Sequence, residues 1–172
     1  GSSRFGRNNR WGLFGAVGFM WNMRNEDFMA DKREWLTMSQ ISFSSGTAGN
    51  SEIPNYEHLA LIGGGHGYVG DSGVAPVQPG NESLTWESTW TSNLGFHFGF
   101  WNRLNVDFEL YCKRTTDMLM EVPKSYAESN GYGYVWDNVG AMLNMGAELN
   151  LTATVITYKD FNWTVNANAG YN

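Results

Sequence analysis

The chain alternates. From Trp86 to Phe100 the even positions carry Trp86, Ser88, Trp90, Ser92, Leu94, Phe96, Phe98 and Phe100, while the odd positions between them are Glu87, Thr89, Thr91, Asn93, Gly95, His97 and Gly99. Side chains of an extended chain point to opposite faces at period two, so this segment predicts a strand with one aromatic and one polar or small face. The next segment repeats the pattern, with Leu104, Val106, Phe108, Leu110 and Cys112 on one face and Asn105, Asp107, Glu109, Tyr111 and Lys113 on the other. Only Trp101–Arg103 separates the two, which predicts an antiparallel hairpin with a tight turn. Two further strands are expected over Met145–Val155 and Phe161–Asn172, and two nearer the start, over Trp11–Met23 and Trp35–Ser45. In Trp35–Ser45 the apolar phase shifts between Met38 and Ile41, where a bulge is expected. No window sustains a helical period; Asn25–Trp35 has room for one short helical turn.

The connections alternate in length. Short links are expected at Arg24–Glu34, Trp101–Arg103 and Thr157–Asp160, and long ones at 47–83 and 121–137. Transmembrane β-barrels have short turns at one rim and long loops at the other, and strands of about 9–11 residues suffice to cross. A soluble β-sandwich would also alternate. Two features favour lipid as the apolar solvent. The polar face is mostly Asn, Thr, Ser and Gly rather than Lys and Glu. Trp86 and Trp90 also fall near one set of strand ends, and Trp21, Trp35, Trp101 and Trp163 near the other, as in interfacial aromatic girdles. Six strands are fewer than the eight of the smallest closed outer-membrane barrels, and an open sheet would leave unpaired edges in hydrocarbon. The expected architecture is therefore all-β, an antiparallel transmembrane β-barrel fragment.

Composition narrows the partners. The 172 residues carry a net charge of −6 and only 16% charged residues, without a Lys/Arg cluster, which argues against a nucleic-acid partner. The single Cys112 cannot form an internal disulfide. The three histidines, His58, His66 and His97, lack metal-ligand spacing, so neither a metal nor any other cofactor is expected. No nucleophile–base pairing points to a catalytic residue. Asp107 and Glu109 share a face about 6–7 Å apart, a separation that glycosidases use, but alternation already accounts for both as lining residues. The triplets beginning at Asn81, Asn150 and Asn162 match a glycosylation pattern that occurs often by chance. Gly65, Gly67 and Gly70 fit the dinucleotide-binding spacing G-x-G-x-x-G. That turn must open a helix, and Pro76 and Pro79 follow too closely for one, so the match is taken as coincidence.

The ordered set of segments 1–21, 86–123 and 138–151 resembles the later barrel portion of SusC/RagA-type TonB-dependent outer-membrane transporters. Its elements are a Trp-containing strand, the "FWNRL" turn, "YCKRT" at Tyr111–Thr115, then Asp117, Leu119 and Pro123, "NVG" at Asn138–Gly140 and "NMGAEL" at Asn144–Leu149. Met142, Leu143 and Met145 are more apolar than that family's pattern, and Cys112 is unusual on a lipid-facing row. The resemblance implies about six strands of a 22-stranded barrel filled by a plug that this sequence does not include. It also implies a non-enzymatic importer of oligosaccharide or peptide in the outer membrane of a Gram-negative bacterium. Expected partners are a SusD-like lipoprotein, the TonB complex acting through the plug, outer-membrane lipid and the glycan or peptide cargo. All of 1–172 would then be barrel domain, with 47–83 and 121–137 as extracellular loops. Candidate lumen-facing residues are His97, Asp107, Glu109, Tyr111, Lys113 and Glu148; candidate loop contacts are Tyr56, His58, His66 and Tyr68. Alternatives are a siderophore- or cobalamin-type receptor and, from another class, a secreted β-sandwich adhesin or carbohydrate-binding module.

Overall fold

A computed structural model describes the backbone of all residues except 69–70, 79 and 126–132, and the side chains outside 62–79 and 126–132. Among the described residues ten strands form, in chain order β1 (Ala16–Asn22), β2 (Leu36–Asn50), β3 (Leu61–Tyr68), β4 (Asp71–Gln78), β5 (Glu87–Phe100), β6 (Leu104–Thr116), β7 (Leu119–Pro123), β8 (Tyr134–Asn138), β9 (Ala141–Tyr158) and β10 (Phe161–Tyr171). Six of them make one antiparallel sheet in the order β1-β2-β5-β6-β9-β10, and β3–β4 and β7–β8 are separate two-stranded hairpins. The sheet is open, with β1 and β10 as its edges.

The strands differ from expectation at their ends. β1 starts at Ala16, so Trp11 and Leu13, expected on its apolar face, lie outside it and are almost fully exposed. β2 runs on to Asn50, so the first long connection begins after 50, whereas β6 ends at Thr116, so the second begins before 121; each contains a hairpin of its own. The segment Leu61–Tyr68, holding Gly65 and Gly67, is a strand and opens no helix. Gly70 lies outside the described residues.

The chain divides into two compact units, one of residues 15–47, 90–114 and 143–172, the other of residues 1–14, 48–89 and 115–142. In the first, the sheet unit, apolar side chains pair with apolar ones across strands. Phe19 lies opposite Phe43 and Trp21 opposite Ile41, and Phe96 stacks on Phe108 with centroids 6.3 Å apart. Such pairs are the elements of sheet stability. Yet the face is not covered: Phe19, Phe43, Trp163 and Val165 keep 59%, 41%, 49% and 41% of their surface.

The β1–β2 register is unbroken from Gln40 to Gly46, so the phase change before Ile41 leaves that pairing intact. A register shift falls in the β9–β10 pairing. Trp163 pairs with Ile156 but Thr164 with Thr154, which leaves Val155 as the extra residue of a bulge. The apolar phase of β9 changes at the same place, from Leu149, Leu151 and Ala153 to Ile156 and Tyr158. The bulge keeps every apolar residue of β10 opposite an apolar partner, from Phe161–Tyr158 to Ala169–Leu149.

The β5–β6 turn is closed by the Arg103 N–H donating to the Phe100 carbonyl at 2.9 Å, with Trp101 and Asn102 at φ 51° and 53°. Two consecutive left-handed residues at the tip of this three-residue connection match the right-handed twist of a hairpin. A tryptophan in that conformation costs about 1–2 kcal/mol. The ring recovers contact against Phe100 and Trp35, with centroids 6.0 and 6.5 Å away, while the Trp101 N–H donates to the Trp35 carbonyl at 2.7 Å.

The second, loop unit has a core of its own. Phe5 and Leu84 are fully buried and Ile53 nearly so, with Trp86, Leu119 and Trp136 packed against them. Two asparagines fasten its segments. The Asn81 amide donates to the Trp136 carbonyl at 3.0 Å. Asn138 accepts from the Thr85 N–H at 2.9 Å and donates to the carbonyls of Thr85 and Asp117 at 2.9 and 2.8 Å. Asn81 is thus committed to internal bonds, which accounts for the first of the glycosylation-like triplets.

Candidate functional site

The polar face of the sheet unit follows from the register. His97 Nδ1 and Asp107 Oδ1 are 2.8 Å apart across β5 and β6. Two residues along each strand, Gly95 lies opposite Glu109. Between β6 and β9, the Thr154 N–H donates to the Arg103 carbonyl at 2.7 Å, and the ring of Tyr111 lies against Gly146. These two contacts fix one register, in which Glu109 is directly opposite Glu148. β10 then places Gly170 beside Glu148.

One row across the sheet therefore reads Gly95, Glu109, Glu148, Gly170. Directly opposed residues of an antiparallel pair hold their Cβ atoms about 4.5–5.5 Å apart, and like charges there repel. The flanking glycines supply no side chain to cover the two carboxylates. The result is a concavity of about 590 Å³ lined by Ser42, Asn93, Gly95, Glu109, Tyr111 and Glu148. A smaller one, about 370 Å³, lies beside Asp107, Asn150, Thr152, Asn166 and Asn168.

The lining residues expected from alternation are resolved individually here. Asp107 is taken up by His97, whose Nε2 lies 3.4 Å from the Ser42 hydroxyl. The carboxylate facing Glu109 is that of Glu148, on the neighbouring strand, rather than Asp107 on its own. Among the described residues Lys113 makes no salt bridge, and His97–Asp107 is the only pair of basic and acidic side chains within ion-pair distance. No cluster of metal-ligating side chains occurs among the described residues.

In the loop unit, Tyr56 and His58 share a turn closed by the Leu59 N–H and the Tyr56 carbonyl, with Tyr56 at φ 71°. His58 donates from Nδ1 to the Arg4 carbonyl at 3.0 Å. His66 and Tyr68 lie on β3, opposite Gly73 and Asp71, and their side chains are outside the described residues. Sequence reasoning passed over the N-terminal stretch. Its Arg7, Asn8 and Arg10 join Gly6, His58 and Glu82 around a further cavity of about 490 Å³. The available signal was three arginines without an acid in the first ten residues. Nearby, the Glu57 carboxyl is held above its ordinary value, first by burial and then by the charge of Glu121.

Comparison with known proteins places this architecture. The sequence pattern of the family described as "TonB dependent receptor-like, beta-barrel" matches residues 1–172, and the chain belongs to that family. It is 36% identical over its whole length to TonB-dependent receptor P39 of Formosa agariphila and 32% identical to TonB-dependent receptor SusC of Bacteroides thetaiotaomicron. The structure of the RagAB peptide importer in its "closed-closed" state matches 98% of the chain with a TM-score of 0.85 at 37% identity. The chain spans about a sixth of these curated relatives, 16% of the first and 18% of the second, and 18% of the solved chain. The antiparallel six-stranded sheet is thus a section of a TonB-dependent β-barrel.

Proposed function

We infer that this chain is a section of the wall of an outer-membrane importer that takes up oligosaccharide or peptide with energy from TonB. The observation that carries the reading is the two-faced sheet of a TonB-dependent receptor family member, whose uncovered face is aromatic and aliphatic and whose other face is polar. On this reading the aromatic face meets lipid. The row of Glu109 and Glu148 lines the wet interior, where it can hold cationic groups of the plug or cargo. Tyr111 borders that row, Lys113 lies further along the same face, and His97–Asp107 is a hydrogen-bonded pair beside it. The loop unit is the extracellular side, where a SusD-like lipoprotein and cargo would engage Tyr56, His58 or the β3–β4 hairpin with His66 and Tyr68. Similarity to SusC and to a peptide importer supports the oligosaccharide/peptide branch over a siderophore or cobalamin receptor. No catalytic role is assigned.

The test is uptake by cells expressing the full receptor, with labelled oligosaccharide and peptide pools. Uptake should vanish when TonB is deleted, and a SusD-like lipoprotein should co-purify. Uptake that continues without TonB would overturn the reading.

A further inference from the structure

The cavity formed by the N-terminal segment is bordered by two arginines, one histidine and one glutamate. Its two guanidinium groups are those of Arg7 and Arg10, and among the described residues neither has a hydrogen-bonding or ionic partner. Arg4, from the same stretch, behaves differently. Its Nη1 donates to the Ser51 carbonyl at 3.0 Å, and its own carbonyl accepts from His58. Arg4 therefore fastens the cavity wall, whereas Arg7 and Arg10 are left to the cavity.

Their backbone is held in place. The Asn9 N–H donates to the Gly6 carbonyl at 3.0 Å and the Ser2 N–H to the Arg10 carbonyl at 2.8 Å. The Asn9 amide reaches the Leu84 carbonyl at 3.1 Å, and Phe5 is fully buried beneath. His58 spends its Nδ1 proton on Arg4, which leaves Nε2 as its free ring nitrogen. Glu82 also borders the cavity, yet it makes no ion pair with either arginine. The cations thus stay unneutralised in a chain whose net charge is −6.

We propose that this cavity binds a carboxylate carried by an oligomeric ligand, a uronate of a glycan or an acidic side chain of a peptide, through Arg7 and Arg10. A guanidinium presents its donors in a planar fork that matches a carboxylate. Glu82 repels a second carboxylate nearby, so the site suits a ligand whose acids are spaced rather than clustered. That the ligand is imported cargo rests on the import reading; binding itself does not.

The experiment is calorimetric titration of the purified full-length receptor in detergent with oligogalacturonate, an alternating Glu-Gly hexapeptide and neutral maltohexaose. At least one carboxylated probe should bind more tightly than maltohexaose. The double variant R7A/R10A should weaken that binding tenfold or more and flatten its salt dependence, while R7K/R10K should retain part of it. The barrel's heat-modifiable mobility in gels should be unchanged in both variants. Equal affinity for all three probes, no binding of either carboxylated probe, or wild-type binding by R7A/R10A would overturn the site. Carboxylate binding that is lost in R7A/R10A, alongside uptake that ignores TonB, would keep the site and overturn the import reading.

Discussion

The two units solve the burial problem in opposite directions. In the loop unit the apolar residues point inward, and Phe5, Ile53 and Leu84 are shielded by Trp86, Leu119 and Trp136. In the sheet unit the apolar residues point outward, and Phe19, Trp163 and Val165 are half exposed. The loop unit follows the rule for water-soluble domains, where removing apolar area from water drives folding. The sheet unit follows the rule for barrels, where the backbone must be hydrogen-bonded but side chains are completed by lipid. Instability of the two should therefore answer to different substitutions.

The largest separation is expected from Phe5→Ala. Emptying a fully buried phenylalanine site costs about 3–5 kcal/mol. Limited proteolysis of the full receptor should show cleavage within 1–14 or 48–89, with the barrel still heat-modifiable. Next comes Val165→Arg, expected to cost about 2–4 kcal/mol if Val165 lies near the bilayer midplane. Its neighbour Asn166→Arg, on the other face, should be close to neutral in the same folding titration into vesicles. Equal costs for the two would break the comparison. A third, smaller effect is expected for Asn138→Ala, which removes three hydrogen bonds at once. About 1–3 kcal/mol of loop-unit stability should be lost, visible as faster amide exchange around Thr85 and Asp117. The smallest concerns Glu57. Its folded pKa is raised, so the stability it contributes is complete below its ordinary value and declines as pH rises through the raised one. Glu57→Gln should flatten that decline in loop-unit proteolysis between mildly acidic and neutral pH, while the wild-type steepens it.

The sheet was legible because alternation is imposed on every strand by the difference between its two solvents. Trp90, Leu94, Phe96 and Phe98 could be assigned to one face with no structure in hand. The hairpins inside the loops were not legible. β3 and β4 are rich in glycine and include Pro76, so little alternates there, and β7 and β8 are only five residues each. The Glu109–Glu148 row depends on pairing between β6 and β9, which sequence spacing within one strand cannot supply. Three arginines without an acid in the first ten residues do not by themselves say which of them the fold engages. The meaning of Arg7 and Arg10 comes from Arg4 being engaged while they are not.

Val155 gives the sheet a place where length can change without consequence for orientation. Deleting a residue elsewhere in β9 would turn every side chain on one side of the cut toward the wrong solvent. Deleting Val155 would leave Ala153, Thr154 and Ile156 in sequence, already alternating, and the hairpin to β10 could close with all of its faces kept. Strand length here can change by one residue while the pattern of lipid- and water-facing positions stays the same.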